Sequence, residues 1–252
     1  MKKMMFLFFL MLLISPVLKA QDDELDDMDF EEAPLPNESP VYFAIGAGYL
    51  GTMTFINYDE INTKLKNDFK LPEYEGSMYL SGVHGFTGIG IIPNIRLGFF
   101  GLTGVNNVSK DTDTTKYGSS LSLSYMGFTI DYGFVPFEHF AVLPGIQVGW
   151  SEMKQEIYNT RNNSDWADFK PNNDGKYFVK SIRGTYTFVQ PHLYLEYAIK
   201  PYLMVRASAG YNFSFSPDWE YNSSVAMENV PDKISTSGLS VQFGIFVGLF
   251  NF

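Results

Sequence analysis

The 252-residue sequence contains no cysteine, which excludes a disulfide framework, a thiolate zinc site and a cysteine nucleophile. Histidine is nearly as scarce: His84, His139 and His192 are the whole complement, and they lie too far apart in the chain to propose a metal site. Charged residues make up only 18%, with 18 basic against 28 acidic side chains and a formal net charge of -10. A chain so poor in bases has no surface with which to displace counterions from phosphates, so nucleic acid is excluded as a partner. No run of 18 apolar residues occurs either, which excludes a membrane-spanning helix. What the sequence does have is aromatic residues at 17% and 22 glycines, far from the composition of a disordered chain. Yet its mean hydropathy is -0.07. The apolar residues must therefore be diluted by polar ones in a regular way.

The N-terminus predicts an export signal. Lys2 and Lys3 form a positive start, residues 4–14 an apolar core, and Leu18 and Ala20 suit cleavage after Ala20. Residues 1–20 are expected to be removed, leaving 15 bases against 28 acids. Residues 21–32 then carry eight acids and residues 33–40 three prolines. Like charges packed this closely repel one another and proline disfavours regular structure, so residues 21–40 are read as an acidic tether.

From residue 41 the pattern is alternation with a period of two. Val41, Phe43, Ile45, Tyr49, Met53 and Phe55 share one face, with Gly46, Gly48, Thr52 and Thr54 on the other. Residues 140–152 and 203–216 repeat the arrangement. In 120–134 the apolar set moves from odd to even positions, which predicts a bulge near Met126 and Gly127. A similar switch around Pro191 predicts another. Eight strands are expected, at 41–55, 76–92, 95–108, 117–134, 139–153, 180–198, 201–216 and 237–252. Short connections at Pro93-Asn94, 135–138 and 199–201 alternate with long ones at 56–75, 109–116, 154–179 and 217–236.

An even antiparallel count with short turns at one end and long loops at the other is the layout of an all-β, eight-stranded, up-and-down transmembrane barrel covering residues 41–252. Bulky residues are expected to face lipid, with small or polar ones filling a narrow lumen. Tyr42, Phe55, Trp150, Tyr197, Tyr202, Phe215 and Trp219 are the expected interfacial girdles. Outer-membrane lipid is the expected surrounding partner, and both termini are expected in the periplasm.

The final strand adds a motif. Gln242, Gly244, Val247 and Leu249 fit a polar-x-Gly-x-x-apolar-x-apolar pattern ahead of the terminal Phe252. This resembles the C-terminal sorting signal of outer-membrane barrel proteins, and the resemblance implies recognition by the barrel-assembly machinery. Residues 41–252 resemble in plan the small eight-stranded outer-membrane barrels of the OmpA-barrel, OmpX and OmpW kind. The stretches 127–149 and 188–212 look closer to uncharacterised barrel families of Gram-negative bacteria. The resemblance implies fold and address, and no activity.

Ionisable residues facing the lumen must be paired or solvated. Glu196 and Arg206 flank the turn at Lys200-Pro201 and are expected to pair across the hairpin inside the barrel. Arg96 and Asp131 fall at similar depth on adjacent strands. With Gln147 and His192 they form the expected polar network of the lumen, either a salt-bridged plug or a gate on an ion path. The His-x-Ser pair of outer-membrane lipid A deacylases is missing: Gly85-Phe86 follows His84, and Leu193-Tyr194 follows His192. His192 with Glu196 could serve as a base and its orienting carboxylate, but no nucleophile is placed beside them. No catalytic residue and no cofactor are expected.

Among the long loops, Trp166, Phe169, Trp219 and Tyr221 are candidate contacts. Ile61, Leu65 and Phe69 recur every fourth residue and predict a short amphipathic helix over the barrel mouth or on the membrane surface. The expected function is non-enzymatic: an envelope-structural or surface-interaction protein acting through its outer loops on an envelope or extracellular protein. The alternatives are a narrow channel for small or apolar solutes, and a lipid A-modifying enzyme.

Overall fold

The structure is a computed structural model and describes residues 41–111, 115–161, 166, 177–222 and 224–252. The expected signal peptide and acidic tether, and Phe169, lie outside the described residues. Eight long strands carry the fold: β1 (Phe43–Ile56), β2 (Met78–Gly88), β3 (Ile95–Asp111), β4 (Thr115–Tyr132), β5 (Phe140–Arg161), β6 (Phe178–Lys200), β7 (Leu203–Tyr221) and β8 (Gly238–Asn251). Each pairs antiparallel with the next, and β8 returns to β1 from Phe43 opposite Asn251 to Ile56 opposite Gly238. The ring closes, so every long strand has two neighbours and the backbone groups of the wall bond within it. Two short segments, Phe134–Phe137 and Val225–Ala226, add to the sides of β5 and β7.

Alternation sets the two faces of the wall. Ile45, Tyr49, Phe128, Ile146, Leu195 and Phe243 are among the large apolar side chains exposed on the outside. This belt has a definite upper limit. On β4 the outward residues change from Ile130, Phe128 and Met126 to Ser124, Ser122 and Ser120, and on β5 from Val148 and Trp150 to Glu152, Lys154 and Glu156. Met126 pairs with Trp150 and Ser124 with Glu152, so both strands leave the apolar belt at one height. Beyond it the ladder continues to Thr115 opposite Arg161, and Ile157 pairs with Lys180. Strands β3 to β7 thus rise above the belt as a wall with a largely polar outer face, laced by Arg183–Glu152 and Lys154–Glu156 pairs at 3.1 and 2.7 Å.

Several expectations need correction. The segment read as a long loop at 109–116 is mostly strand, and β5 runs eight residues past the expected 153. Polar residues occupy the outer face there, so the alternation fades while the hydrogen-bond ladder does not. No bulge occurs near Met126 and Gly127 or at Pro191. The pairing of β4 with β3 and β5 runs in one register throughout, and so does that of β6 with β5. At Pro191 the β6–β7 ladder is interrupted without a change of register. The real irregularities in that pair lie between Thr185 and Thr187, opposite Ser216 with its left-handed φ of 54°, and between Ala198 and Lys200 beside the turn.

Both apparent switches have another cause: the lumen is itself apolar in its upper half. Leu121, Leu123, Tyr125, Tyr186 and Phe188 point inward and are buried, contrary to the expectation that bulky residues face only outward. Large and small residues alternate around the ring to make room. Phe100, Gly127, Gly149 and Phe188 lie in one row across β3 to β6, and the two rings approach to 6.3 Å over the glycines. Two of the expected girdle residues are also inside: Tyr42 and Trp219 are buried, whereas Phe55, Trp150, Tyr197, Tyr202 and Phe215 are exposed.

The long-loop end is covered from within the chain. The expected helix forms as α1 (Asp59–Lys64) and continues as a π-helical turn to Phe69, with Ile61 and Leu65 buried. The left-handed φ of Lys70, 55°, ends it. Tyr74 follows, and burial pushes its phenol up to about 12, so it remains a donor to Ser119 Oγ at 2.9 Å.

Candidate functional site

The lower half of the lumen, toward the short turns, is filled by charge. Arg96 on β3 donates from Nε and Nη2 to Asp131 Oδ2 on β4 at 2.9 and 2.8 Å. Its Nη1 reaches across the barrel to Glu196 Oε1 on β6 at 2.6 Å. The same Nη1 donates to the Tyr42 hydroxyl at 2.7 Å, and that hydroxyl donates to Glu196 Oε2 at 2.8 Å. Arg206 on β7 donates from Nε to Glu196 Oε1 at 2.7 Å, as their register position opposite one another requires. The carboxylate of Glu196 is therefore shared by two guanidiniums from opposite sides.

Two histidines complete the cluster. Arg206 Nη1 lies 2.6 Å from His84 Nδ1, and because a guanidinium only donates, this nitrogen is the acceptor. His192 Nε2 is 2.7 Å from Asp131 Oδ1, where an ionised carboxylate makes the imidazole the donor. Rings line the cations: the Phe86 centroid is 4.3 Å from Arg96 Cζ, and the Phe246 and Tyr194 centroids are 4.1 and 4.4 Å from Arg206 Cζ. Such faces favour cations where water is excluded. With two arginines and two carboxylates, all no more than 2% exposed, the formal charges balance.

Glycine makes the approach possible. Arg96, Asp131, Gly145 and His192 occupy successive positions in one row of the wall. A Cβ at Gly145 would stand 2.2 Å from Asp131 Oδ1 and 2.8 Å from His192 Nε2. The Asp131–His192 contact passes through the space that a side chain would fill. On the contact distances alone, replacing Tyr42 by phenylalanine is expected to cost about 2 kcal/mol, the range for hydrogen bonds to charged groups. The urea midpoint of the reconstituted barrel reads it, and an unchanged midpoint would mean that the phenol is idle.

Above the charges, Thr52, Gln147, Gln190, Asn212 and Gln242 are among the residues around a small cavity. Gln147 Nε2 donates to the Tyr194 hydroxyl at 2.7 Å, whereas Thr52 Oγ1 and Asn212 Oδ1 are buried without a protein partner. Polar walls of this kind suit ordered water. The segment before β8 closes the space from above. Thr236 is fully buried, its carbonyl accepting from Tyr125 and Asn212 at 2.7 Å each and its hydroxyl 2.6 Å from Ser151 Oγ. The Ile234 carbonyl accepts from Tyr186 at 2.8 Å.

No family model and no curated protein matches the sequence. Among solved structures the chain is similar to Ail, the attachment invasion locus protein of Yersinia pestis, in complex with the heparin analogue sucrose octasulfate. That likeness has 9% identity over 84% of this chain and 99% of the other, with a TM-score of 0.42. A major outer membrane protein from Thermus thermophilus is similar at 8% identity over 82% and 99%, TM-score 0.45. The outer membrane protease OmpT from Escherichia coli is similar at 10% identity over 86% and 98%, TM-score 0.30. The fold is that of a small outer-membrane β-barrel. Its own closed ring of eight strands and outward apolar belt carry that conclusion.

All six residues of the expected lumen network, Arg96, Asp131, Gln147, His192, Glu196 and Arg206, are buried inside this barrel. Arg96 joins the two pairs expected separately, and His192 reaches Asp131 instead of orienting on Glu196. Sequence reasoning missed His84 and Tyr42. His84 sits on β2, where large apolar residues occupy both faces, Leu80 and Phe86 inside and Tyr79 and Val83 outside, and Tyr42 reads as a girdle tyrosine by its place at a strand end. Of the sorting-pattern residues, Gln242 and Gly244 point inward, while Val247 and Leu249 point out. Phe252 turns in to stack on Tyr42 at 5.0 Å. Among the loop candidates Trp166 is exposed, but Trp219 is a correction: it lies on β7, buried edge-on against Tyr186 at 5.9 Å. It follows the Ser216 irregularity, which moves odd positions to the inside. Tyr221, two residues on, is half-buried at the long-loop end.

Proposed function

We propose that the protein is an integral outer-membrane protein with a sealed lumen that works as a binding surface at its long-loop end. The observation that carries this reading is the Arg96–Asp131–Glu196–Arg206 cluster, which spans the lumen at 0 to 2% exposure. An ion path through it would have to separate charges that already satisfy one another in a space closed to water. The apolar belt supports contact with outer-membrane lipid, and the short turns face the periplasm in this reading. Residues 1–20 are removed on export, residues 21–40 hang in the periplasm, and Gln242 to Phe252 present the pattern that the assembly machinery reads. A non-enzymatic role is supported by the position of His84 and His192, both inside the cluster, where a substrate has no access. The binding partner is an envelope or extracellular molecule met by the outer loops.

Purified protein in a planar lipid bilayer is expected to give no stable single-channel openings. Reproducible openings would overturn the sealed lumen and favour the narrow channel.

A further inference from the structure

The wall above the belt encloses more than loops. Its inner face and the chain that folds over it leave a cavity of ≈450 Å³, within the range that small-molecule sites occupy. Phe69 from the turn after α1, Ile157 from β5, Ile182 from β6, and Met227, Val230 and Ile234 from the segment before β8 form its apolar sides. Three charged groups border it: Glu60, Lys64 and Lys180. Glu60 faces Lys233 at 3.8 Å, and Lys64 is held by Asp68 at 3.1 Å. Lys180 has no carboxylate partner among the described residues. Its ammonium lies 5.6 Å from the centroid of the Phe178 ring beside it. The cavity thus joins an apolar interior to a cationic border, with one ammonium left for a ligand to engage.

We propose that this cavity binds a free amphiphile of the fatty-acid class, with its anionic head on Lys180 and its chain between Ile157, Ile182 and Met227. An uncharged solute would gain nothing from Lys180, and a cationic one would be repelled by it, whereas an anionic head gains a charge-assisted contact. A chain packed on Ile157 and Ile182 loses water from both surfaces, which drives binding, and the head selects it through charge-assisted contacts. The cavity lies above the apolar belt, so its ligand comes from the aqueous side. This assignment rests on the reading of the long-loop end as the binding end, and names its ligand.

The test uses the full mature chain in nanodiscs of neutral lipid, with a decanoic acid carrying a terminal diazirine as probe and mass spectrometry to map photolabelled peptides. Saturable labelling of residues 178–182 or 227–234, displaced by decanoate but not by decanol, is the expected result. Lys180→Glu is expected to reduce that labelling about tenfold, as loss of one charge-assisted contact implies. Lys180 is exposed, so this variant should keep the heat-modifiable gel migration of the folded barrel. Ile182→Trp, which fills the cavity, is expected to abolish the labelling. Label confined to outward belt residues, equal displacement by decanol, or no effect of Lys180→Glu would each overturn the proposal. A photo-cross-linking residue at 182 that captures residues 167–176 of the same chain would also overturn it, because the occupant would then be the protein itself. Channel openings in the bilayer would instead refute the sealed lumen and leave this cavity untouched.

Discussion

Glu196→Ala is expected to destabilise the barrel by about 3–5 kcal/mol, the range for removing one partner of a buried ion pair. The carboxylate accepts from Arg96, Arg206 and Tyr42, and of these donors Arg96 alone has a second carboxylate partner. Arg96 keeps Asp131, but Arg206 is left with His84, which is neutral in the tautomer that the contact demands. The cluster then carries one uncompensated positive charge in a lumen closed to water. The urea midpoint in nanodiscs reads the loss. Adding Arg206→Met restores the charge balance and is expected to recover most of it. A double variant no more stable than Glu196→Ala alone would mean that charge balance is not what holds these residues together.

A second large loss is expected at a residue with no side chain. Gly145→Val forces apart Asp131 and His192, whose atoms already stand within 2.8 Å of the position of the new Cβ. The backbone of Ile130 lies 2.7 Å from the same point, so the wall cannot yield easily. Overpacking of this kind costs typically about 1–3 kcal/mol, and loss of the His192 hydrogen bond to the Asp131 carboxylate adds to it, so the expected total is about 4 kcal/mol. Gly90→Ala is the control, because nothing lies within 4 Å of its added carbon. Equal midpoints for the two variants would show that the narrowness of the lumen at Gly145 is not needed.

The ring of strands was legible because the outward face must be apolar at every second position while it crosses the belt, and Ile45, Phe128, Ile146 and Leu195 obey that rule. The strand ends were not, because Lys110, Asp111, Lys154 and Glu156 lie above the belt, where lipid no longer demands an apolar outer face. The two false bulges have the same origin from the other side. Leu121 and Phe188 are as apolar as any outward residue, yet they fill a lumen whose glycines leave space for them. Charged residues in the lumen stood out individually, since a barrel of this size has nowhere else to put Arg206 or Glu196. Their convergence on one carboxylate did not, because Arg96 and Glu196 are a hundred positions apart and meet only through closure of the ring. The cavity at the long-loop end was invisible for a related reason: its walls come from α1, β5, β6 and the approach to β8.

The stack of Tyr42 on Phe252 has a consequence for assembly order. These residues sit just before β1 and just after β8, at the seam where the two ends of the barrel meet. Until that seam zips, the Tyr42 hydroxyl cannot reach Glu196, and an open sheet leaves the four lumen charges hydrated. Drying of the interior and completion of the ion cluster are therefore tied to the pairing of β1 with β8. A barrel caught half-closed retains a wet, relaxed middle, and only the closed ring has a reason to be dry.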